Sequence, residues 1–377
     1  MKAQRVAAIA RKEMIHILRD PRSLGMAIAI PMLLLVLFGY ALTLDVDDVP
    51  MVAWDQAPSP ASREFVSRFT GSPYFSLRAY VHSYGEVEHA IDTGEALVAM
   101  VVPEDFSARI ATGRPAPVQM IVDGSDSNLA TIAMGYADVV AFTYSEEVAI
   151  RQAQRSGGTT LHPPLDVRPR VWFNADLQSR NYIIPGLIAV IMMVIAALLT
   201  SLTVAREWER GSMEQLISTP IKSRELVLGK LMPYFALGMF DVLLAVLMGE
   251  FVFRVPLRGS AALLFGMAAV FLAGSLAMGM VISIVAKNQL LASQLAMVLT
   301  FLPSFLLSGF MFAVQNMPKP VQAITYLIPA RYFVALLKGI YLKGVGLEVL
   351  AMEAVLLTIF GLVMVALANK KFKKRLV

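Results

Sequence analysis

From Tyr182 the sequence reads Tyr-Ile-Ile-Pro-Gly-Leu-Ile-Ala-Val-Ile-Met-Met-Val-Ile-Ala-Ala-Leu-Leu-Thr-Ser-Leu-Thr-Val-Ala to Ala205 without one charged side chain, and Arg206-Glu-Trp-Glu-Arg follows at once. A helix needs about 20 apolar residues to cross the hydrocarbon core of a bilayer. This stretch meets that length, and its charged end marks where the chain returns to water. Ser23–Leu44 and Ser260–Ala286 are also free of charge. Leu231–Phe253 carries Asp241 and Glu250, Gln289–Val314 is interrupted by Pro303, and Val349–Ala368 completes the set. Six membrane spans are expected. The first is read as a permanent anchor, because its apolar run exceeds the roughly 7–15 residues of a signal h-region.

Composition agrees with that reading. Of the 377 residues, 57% are hydrophobic and 16% charged, where a soluble domain carries about a quarter charged residues to wet its surface. The net charge of +5 does not call for nucleic acid. Lys2, Arg5, Arg11, Lys12, Arg19 and Arg22 precede the first span. Arg206, Arg210, Lys222, Arg224 and Lys230 lie between the second and third, and Lys370, Lys371, Lys373, Lys374 and Arg375 follow the last. With six spans these groups fall on one side, which the positive-inside bias makes cytoplasmic. Both termini are therefore expected inside. The sequence has no cysteine, which excludes disulfides, thiolate metal sites and thiol catalysis.

The expected organisation starts with a cytoplasmic interfacial helix at 1–22, where Val6, Ala10, Met14 and Ile17 share a face. A first span at 23–44 and an extracytoplasmic domain at 45–180 follow. Spans two to six occupy 181–369, with a cytoplasmic loop at 206–230, and a basic tail fills 370–377. In the large domain, Val49–Trp54, Ala96–Val102 and Val118–Val122 read as strands, and Val167–Phe173 as one more. Ala61–Phe69, Glu86–Ile91, Asp105–Ala111 and Asn128–Gln154 read as helices. This alternation predicts an α/β domain with its sheet covered on one face. The fold class is a membrane all-α six-helix bundle with an inserted α/β extracytoplasmic domain between spans 1 and 2.

Catalytic and metal motifs are missing from the sequence. There is no G-x-x-x-x-G-K-[ST] loop, so ATP is not hydrolysed on this chain. There is no G-x-S-x-G elbow and no H-E-x-x-H helix. Asp123-Gly-Ser-Asp-Ser-Asn lacks the glycine and closing glutamate of a calcium loop and reads as a turn and helix cap. His82, Glu86 and His89 read as a solvated cluster, and no metal is expected. Asp241 is the one intramembrane carboxylate singled out. Either it lines a path for a cation or proton, or it pins helices through Ser275, Ser283 or a backbone group. Pro303 and Ser308 are candidates for the same path or packing role.

The run Arg206-Glu-Trp-Glu-Arg-Gly-Ser-Met-Glu-Gln-Leu-Ile-Ser-Thr-Pro, followed by Leu228-Gly-Lys, resembles the signature loop of type-2 ATP-binding-cassette (ABC) exporter permeases. Ser212 stands where threonine is usual. Arg19-Asp-Pro-Arg, Gly39-Tyr-Ala-Leu, Val255-Pro-Leu-Arg-Gly-Ser, Leu307-Ser-Gly-Phe-Met-Phe, Met317-Pro and Ile328-Pro-Ala-Arg-Tyr-Phe extend the resemblance along the whole chain, with Ala313 where many relatives have proline. The large domain is similar to that of the bacterial multidrug-type subgroup.

The resemblance implies a bacterial inner-membrane permease for drugs or other amphipathic compounds, with lipid- or polysaccharide-like cargo as the alternative. It implies pairing with a second permease, identical or paralogous, and with separate ATPase subunits that hold ATP and magnesium; a periplasmic adaptor often accompanies such exporters. It also implies that Glu207, Arg210, Gly211, Glu214, Gln215, Leu216, Thr219 and Pro220 couple the permease to the ATPase. From the residues themselves, Glu207, Glu209, Arg210, Glu214 and Arg224 form a charged helix–turn–helix broken at Pro220, suited to docking in a cleft of a soluble partner. A sensor would need a longer cytoplasmic segment and an enzyme a convergent polar set. A channel is separated from a pump by ATP-dependent accumulation.

Overall fold

In the computed structural model, which describes residues 2–42, 48–155, 172–174, 178–213 and 221–372, the chain starts as two helices, α1 (Ala3–Arg19) and α2 (Pro21–Ala41). Pro21 at the first position of α2 separates them, since its missing N–H would be unpaired there anyway. The buried stripe of α1 is Val6, Ile9, Glu13 and Ile17, displaced from the Val6–Ala10–Met14–Ile17 face read from sequence. The reason is that α1 packs on a protein surface that accepts a carboxylate, described below.

The chain divides into two compact units, residues Met1–Thr43 with Arg170–Val377, and Leu44–Pro169. Among its described residues, every regular element of the first is a helix. It continues with α7 (Ser179–Glu209), α8 (Ser223–Phe251), α9 (Ala261–Ala286), α10 (Gln289–Leu307), α11 (Lys319–Thr325), α12 (Pro329–Lys338) and α13 (Leu347–Lys371). Helices α7, α8, α9, α10 and α13 are long and apolar enough to cross a membrane, and α2 adds a shorter apolar stretch, Ala27–Ala41.

Burial separates the middle of this unit from its outside. The apolar window of α7 is 89% buried, whereas those of α10 and α13 are 22% buried. Leu290, Val298 and Leu302 on α10 and Val349, Met352, Val355 and Leu362 on α13 are exposed. An apolar surface that wide is stable against lipid and not against water. Small residues bring the inner helices together. A Cβ on Gly279 of α9 would lie 2.2 Å from Thr200 Oγ1 of α7, and the Thr200 hydroxyl is 2.8 Å from the Leu276 carbonyl across the same contact. This is the small-residue packing that membrane helices use in place of a hydrophobic drive.

The segment after α10, read from sequence as a loop, is a broken helix. Helix α11 and α12, with its π-helical continuation Gly339–Lys343, meet at 86°. Pro329 sets the bend, because the residue before a proline is pushed out of the helical region. Phe333, Leu336, Leu337, Ile340 and Tyr341 from this element join the main apolar core.

The second unit holds a four-stranded sheet in the order β2-β1-β3-β4, made of β1 (Val49–Asp55), β2 (Phe75–Tyr80), β3 (Val98–Val102) and β4 (Gln119–Val122). Strand β1 runs parallel to β2 and β3, and β4 is antiparallel to β3. The two-residue period sends Met51, Ala53, Val98 and Met100 to one face, under α3 (Pro60–Thr70), α5 (Phe106–Ala111) and α6 (Ser127–Arg155). Val52 and Ala99 point the other way, against Val87 and Ala90 of α4 (Tyr84–Asp92). Both faces of the sheet thus carry helices, where the sequence suggested one; the continuous apolar run of β3 is what two covered faces require. The Asp123 run is a turn and cap: Asp123 accepts from the Ser125 amide at 2.9 Å and Asp126 from the Leu129 amide at 3.1 Å. The strand expected at Val167–Phe173 lies almost wholly outside the described residues.

Candidate functional site

Arg206-Glu-Trp-Glu-Arg-Gly closes α7, and each residue has a separate task. Arg206 donates to Gln289 Oε1 at 3.3 Å. Trp208 lies under the Lys287 ammonium, 4.8 Å from ring centre to nitrogen. Glu209 accepts from the Gln289 amide at 2.8 Å and from its side chain. The end of α7 is thereby fastened to the turn between α9 and α10. Arg210 caps the helix and Gly211 follows at φ +68°, the left-handed conformation that ends helices and that glycine adopts without a steric penalty.

Glu207 turns the other way, into a buried cluster. Its Oε1 is 3.0 Å from Lys230 Nζ of α8 and 3.0 Å from Lys12 Nζ of α1. Lys230 Nζ is also 2.9 Å from Glu13 Oε1, and Lys12 Nζ is 3.5 Å from the same atom. Two ammoniums and two carboxylates alternate, with no net charge. The Lys230 side chain is 2% exposed and each carboxylate 8%. Burial works to raise the Glu13 carboxyl, but Lys230 and Lys12 outweigh it and hold the group below its ordinary value. Half-burial works to lower the Lys12 ammonium, and Glu207 with Glu13 brings it above its ordinary value instead. Charges taken out of water need this degree of pairing.

The residue before Lys230 makes the cluster reachable. A Cβ on Gly229 would lie 2.7 Å from Ile9 Cβ and 3.1 Å from the Val6 carbonyl oxygen of α1. The glycine lets the two helices touch backbone to backbone. At the start of α8, Glu225 accepts from the Lys222 amide at 3.0 Å and the Lys2 amide at 2.8 Å, with Arg5 at 3.7 Å. Helices α1, α7 and α8 form one joint, at the end of α7 and the start of α8 in the described chain. Glu214, Gln215, Leu216, Thr219 and Pro220 lie outside the described residues; Met213, just before them, is buried in the core. Arg210 and Gly211 are exposed, whereas Glu207 is buried.

The sequence profile of the ABC-2 family transporter protein matches residues 21–370. The chain belongs to the ABC-2 transporter family. It is 40% identical to the probable multidrug ABC transporter permease YbhS of Escherichia coli (strain K12) over 374 residues, 99% of this chain and 98% of that protein. It is 30% identical to the probable multidrug ABC transporter permease YbhR of the same strain over 345 residues, 92% of each. The inner membrane transport permease YhhJ, also from that strain, is 26% identical over 331 residues, 86% of this chain and 85% of that protein. The alignments span nearly the whole chain, so this is a multi-pass ABC transporter permease, a transport subunit of a family that works with ABC ATPase subunits.

In this ABC-2 permease the other candidate residues do not join the joint. Asp241 of α8 is 1% exposed, and neither carboxylate oxygen has a hydrogen-bond partner among the described residues. Ser275 and Ser283, the partners suggested from sequence, are engaged elsewhere. Ser275 donates to the Phe271 carbonyl at 2.9 Å, and Ser283 Oγ accepts from the Val204 and Ala205 amides at 3.0 and 2.9 Å. Pro303 lies within α10, and Ser308 caps its end and accepts from the Phe310 amide at 3.3 Å. Glu13 and Lys230 were missed as a pair. The available signal was a lone acid in the otherwise basic α1 and a lysine entering an apolar span.

Proposed function

We propose that this ABC-2 permease is the membrane half of an exporter for drugs or other amphipathic compounds in a bacterial inner membrane. Six spans, α2, α7, α8, α9, α10 and α13, put both termini in the cytoplasm and the α/β unit outside. The permease pairs with a second one and with two ATPase subunits, which bind and hydrolyse ATP with magnesium on their own chains. The cargo class rests on the names of the YbhS and YbhR relatives. An adaptor outside the membrane and surrounding lipid complete the partner set.

One observation carries the reading: the segment 214–220 is bracketed by a joint whose buried charges lock α1, α7 and α8 together. An ATPase that grips Glu214, Gln215, Leu216, Thr219 and Pro220 moves a rigid corner, and the corner moves two spans. Arg210 and Gly211 sit where the segment leaves α7. Glu207 contributes from inside, by holding the corner. Closure of the ATPase pair then shifts the bundle between two states with different contacts to the cargo, which is the condition for driving transport by a remote reaction.

Glu214→Lys tests this. It is expected to reduce ATPase copurification, or to leave hydrolysis running while transport stops, with the thermal melt of the permease unchanged. Normal ATP-dependent transport by the variant would remove the docking role, and passage of cargo with no ATP-dependent accumulation would replace the pump with a channel. Topology is checked by single cysteines in the cysteine-free chain. A membrane-impermeant thiol reagent on intact cells is expected to label Ser125→Cys and spare Ser218→Cys.

A further inference from the structure

At the opposite end of α7 from the ion-pair joint lies a pocket of about 450 Å³ between the first turns of α7, the end of α10, the broken helix pair and α13. Its polar content is unlike that of the joint. Lys338 Nζ lies 3.4 Å from the centre of the Tyr182 ring and donates to the Gly309 carbonyl at 2.9 Å. The Arg331 guanidinium lies 4.0 Å from the centre of the Tyr326 ring and donates to Thr325 Oγ1. Both side chains are half-buried, and neither reaches a carboxylate among the described residues. Glu353 of α13 lines the same pocket and has no ion-pair partner there either.

A half-buried cation is normally matched by an anion, and this molecule does so four times over at its other end. Here the two cations are held by ring faces and carbonyls, which support a positive charge without neutralising it. Their remaining donors are unspent: an ammonium has three N–H groups and a guanidinium five. The Glu353 carboxylate on the same wall favours a monoanion over a dianion. Beside the charges, Leu356 and Met352 form an apolar wall that continues into the exposed face of α13 through Val355 and Ile359.

We propose that this pocket binds the acidic headgroup of a monoanionic amphiphile, with the acid between Lys338 and Arg331 and the apolar body along α13. Two sources share that chemistry: an anionic phospholipid of the surrounding leaflet, or an acidic amphiphile in transit. The cargo source rests on the exporter reading; the binding itself rests on the pocket alone.

The test uses the full permease with its ATPase subunits in uncharged alkyl maltoside micelles. Two diazirine-bearing probes of equal chain length are cross-linked, an anionic lysophosphatidylglycerol and a neutral monoacylglycerol. The anionic probe is expected to label the segment 309–356 at least tenfold more than the neutral one. Lys338→Gln and Arg331→Gln should each lower that labelling severalfold, while Lys338→Arg and Arg331→Lys retain most of it. If the neutralised variants do not fold, the wild type still decides: the monoanionic diester dodecyl methyl phosphate must compete and an equal addition of dodecyl maltoside must not. Competition by phosphatidylglycerol identifies the lipid source; competition by a transported acidic amphiphile, with its transport lost in Lys338→Gln, identifies cargo. Equal labelling by the neutral probe, or competition by the maltoside as strong as by the phosphate, overturns the site. Such a result with drug transport intact would leave the exporter reading standing.

Discussion

Helix α8 buries Glu225, Lys230 and Asp241, and the last two, eleven positions apart, are treated in opposite ways. Lys230 meets two carboxylates at 2.9 and 3.0 Å and completes a neutral cluster. Asp241 is buried as deeply and meets no partner among the described residues. Both positions carry the desolvation penalty of a charged group. Only at Lys230 does the fold repay it. A charge-paired cluster fixes how three helices join, so its work is structural and is done in this one state. An unsatisfied carboxylate fixes nothing here. Its retention in an apolar span makes sense where another state of the transport cycle, or a ligand, supplies what this state lacks.

The largest expected effect comes from breaking the satisfied member. Lys230→Met leaves Glu13 and Glu207 with only the half-exposed Lys12 between them, and removing one partner of a buried pair costs about 3–5 kcal/mol. The thermal melt of the detergent-solubilised permease should fall accordingly. Adding Glu13→Gln and Glu207→Gln should recover a good part, because a neutral buried set can match a charged one. If Lys230→Met melts like the wild type, the cluster does not hold α1 in place.

A smaller loss is expected at the neighbouring position. Gly229→Val places methyls where Ile9 already stands, and overpacking of this kind costs about 1–3 kcal/mol. Ile9→Ala in the same chain should restore most of it, since the two sites are in contact and their effects are coupled. Losses that simply add would show that α1 and α8 do not meet as described.

These two positions also show what the sequence could and could not convey. The long apolar runs gave the spanning helices nearly to their ends except at α10, which stops at Leu307 where Val314 was expected, and the period-2 runs gave β1, β3 and β4, because length and periodicity are local properties. Strand β2, Phe75-Ser-Leu-Arg-Ala-Tyr, has no such pattern: only Phe75 is buried, so an edge strand passed for loop. The helix pair after α10 was hidden by Pro318, Pro320 and Pro329, which read as loop punctuation while marking helix starts. In the motif loop, Arg206-Glu-Trp-Glu announced its importance but not its direction. Glu207 points inward because Lys230 and Lys12, the latter 195 positions away, are waiting there. Pairing across some 200 positions leaves no local trace, and the lone acid of α1 was the only hint.

Asp241→Leu should have the opposite sign to Lys230→Met. With no hydrogen bond to lose, exchange for an apolar side chain removes an unsatisfied buried group, whose penalty is about 1–3 kcal/mol, so the melt should hold or rise. Transport separates the two roles. If Asp241 lines the path, Asp241→Asn assembles normally and loses cationic compounds selectively, because it keeps the shape and removes the charge. Normal transport of cations by the Asn variant eliminates the path-lining role, and a large loss of stability in the Leu variant would restore the packing role.

The smallest effect expected is that of pH on the joint, and its flatness is the informative result. The Glu13 carboxyl lies below its ordinary value. Its contribution is therefore fully present above the unfolded value of about 4.3 and is lost only as pH falls through the lower, folded value. The Lys12 ammonium lies above its ordinary value. Its contribution is present below the unfolded value of about 10.4 and fades only as pH rises through the higher, folded value. Between those limits Glu13 and Lys12 keep their charges. Docking of α1, followed by protease accessibility of Arg11 and Arg19, should not change from pH 6 to pH 9 and should fail only in acid below the ordinary carboxylate range. A transition near neutrality in α1 release would mean that the four charges do not set its strength. A neutral transition confined to transport, with α1 protected throughout, would place the titrating group outside the joint, and Asp241→Asn should then abolish it.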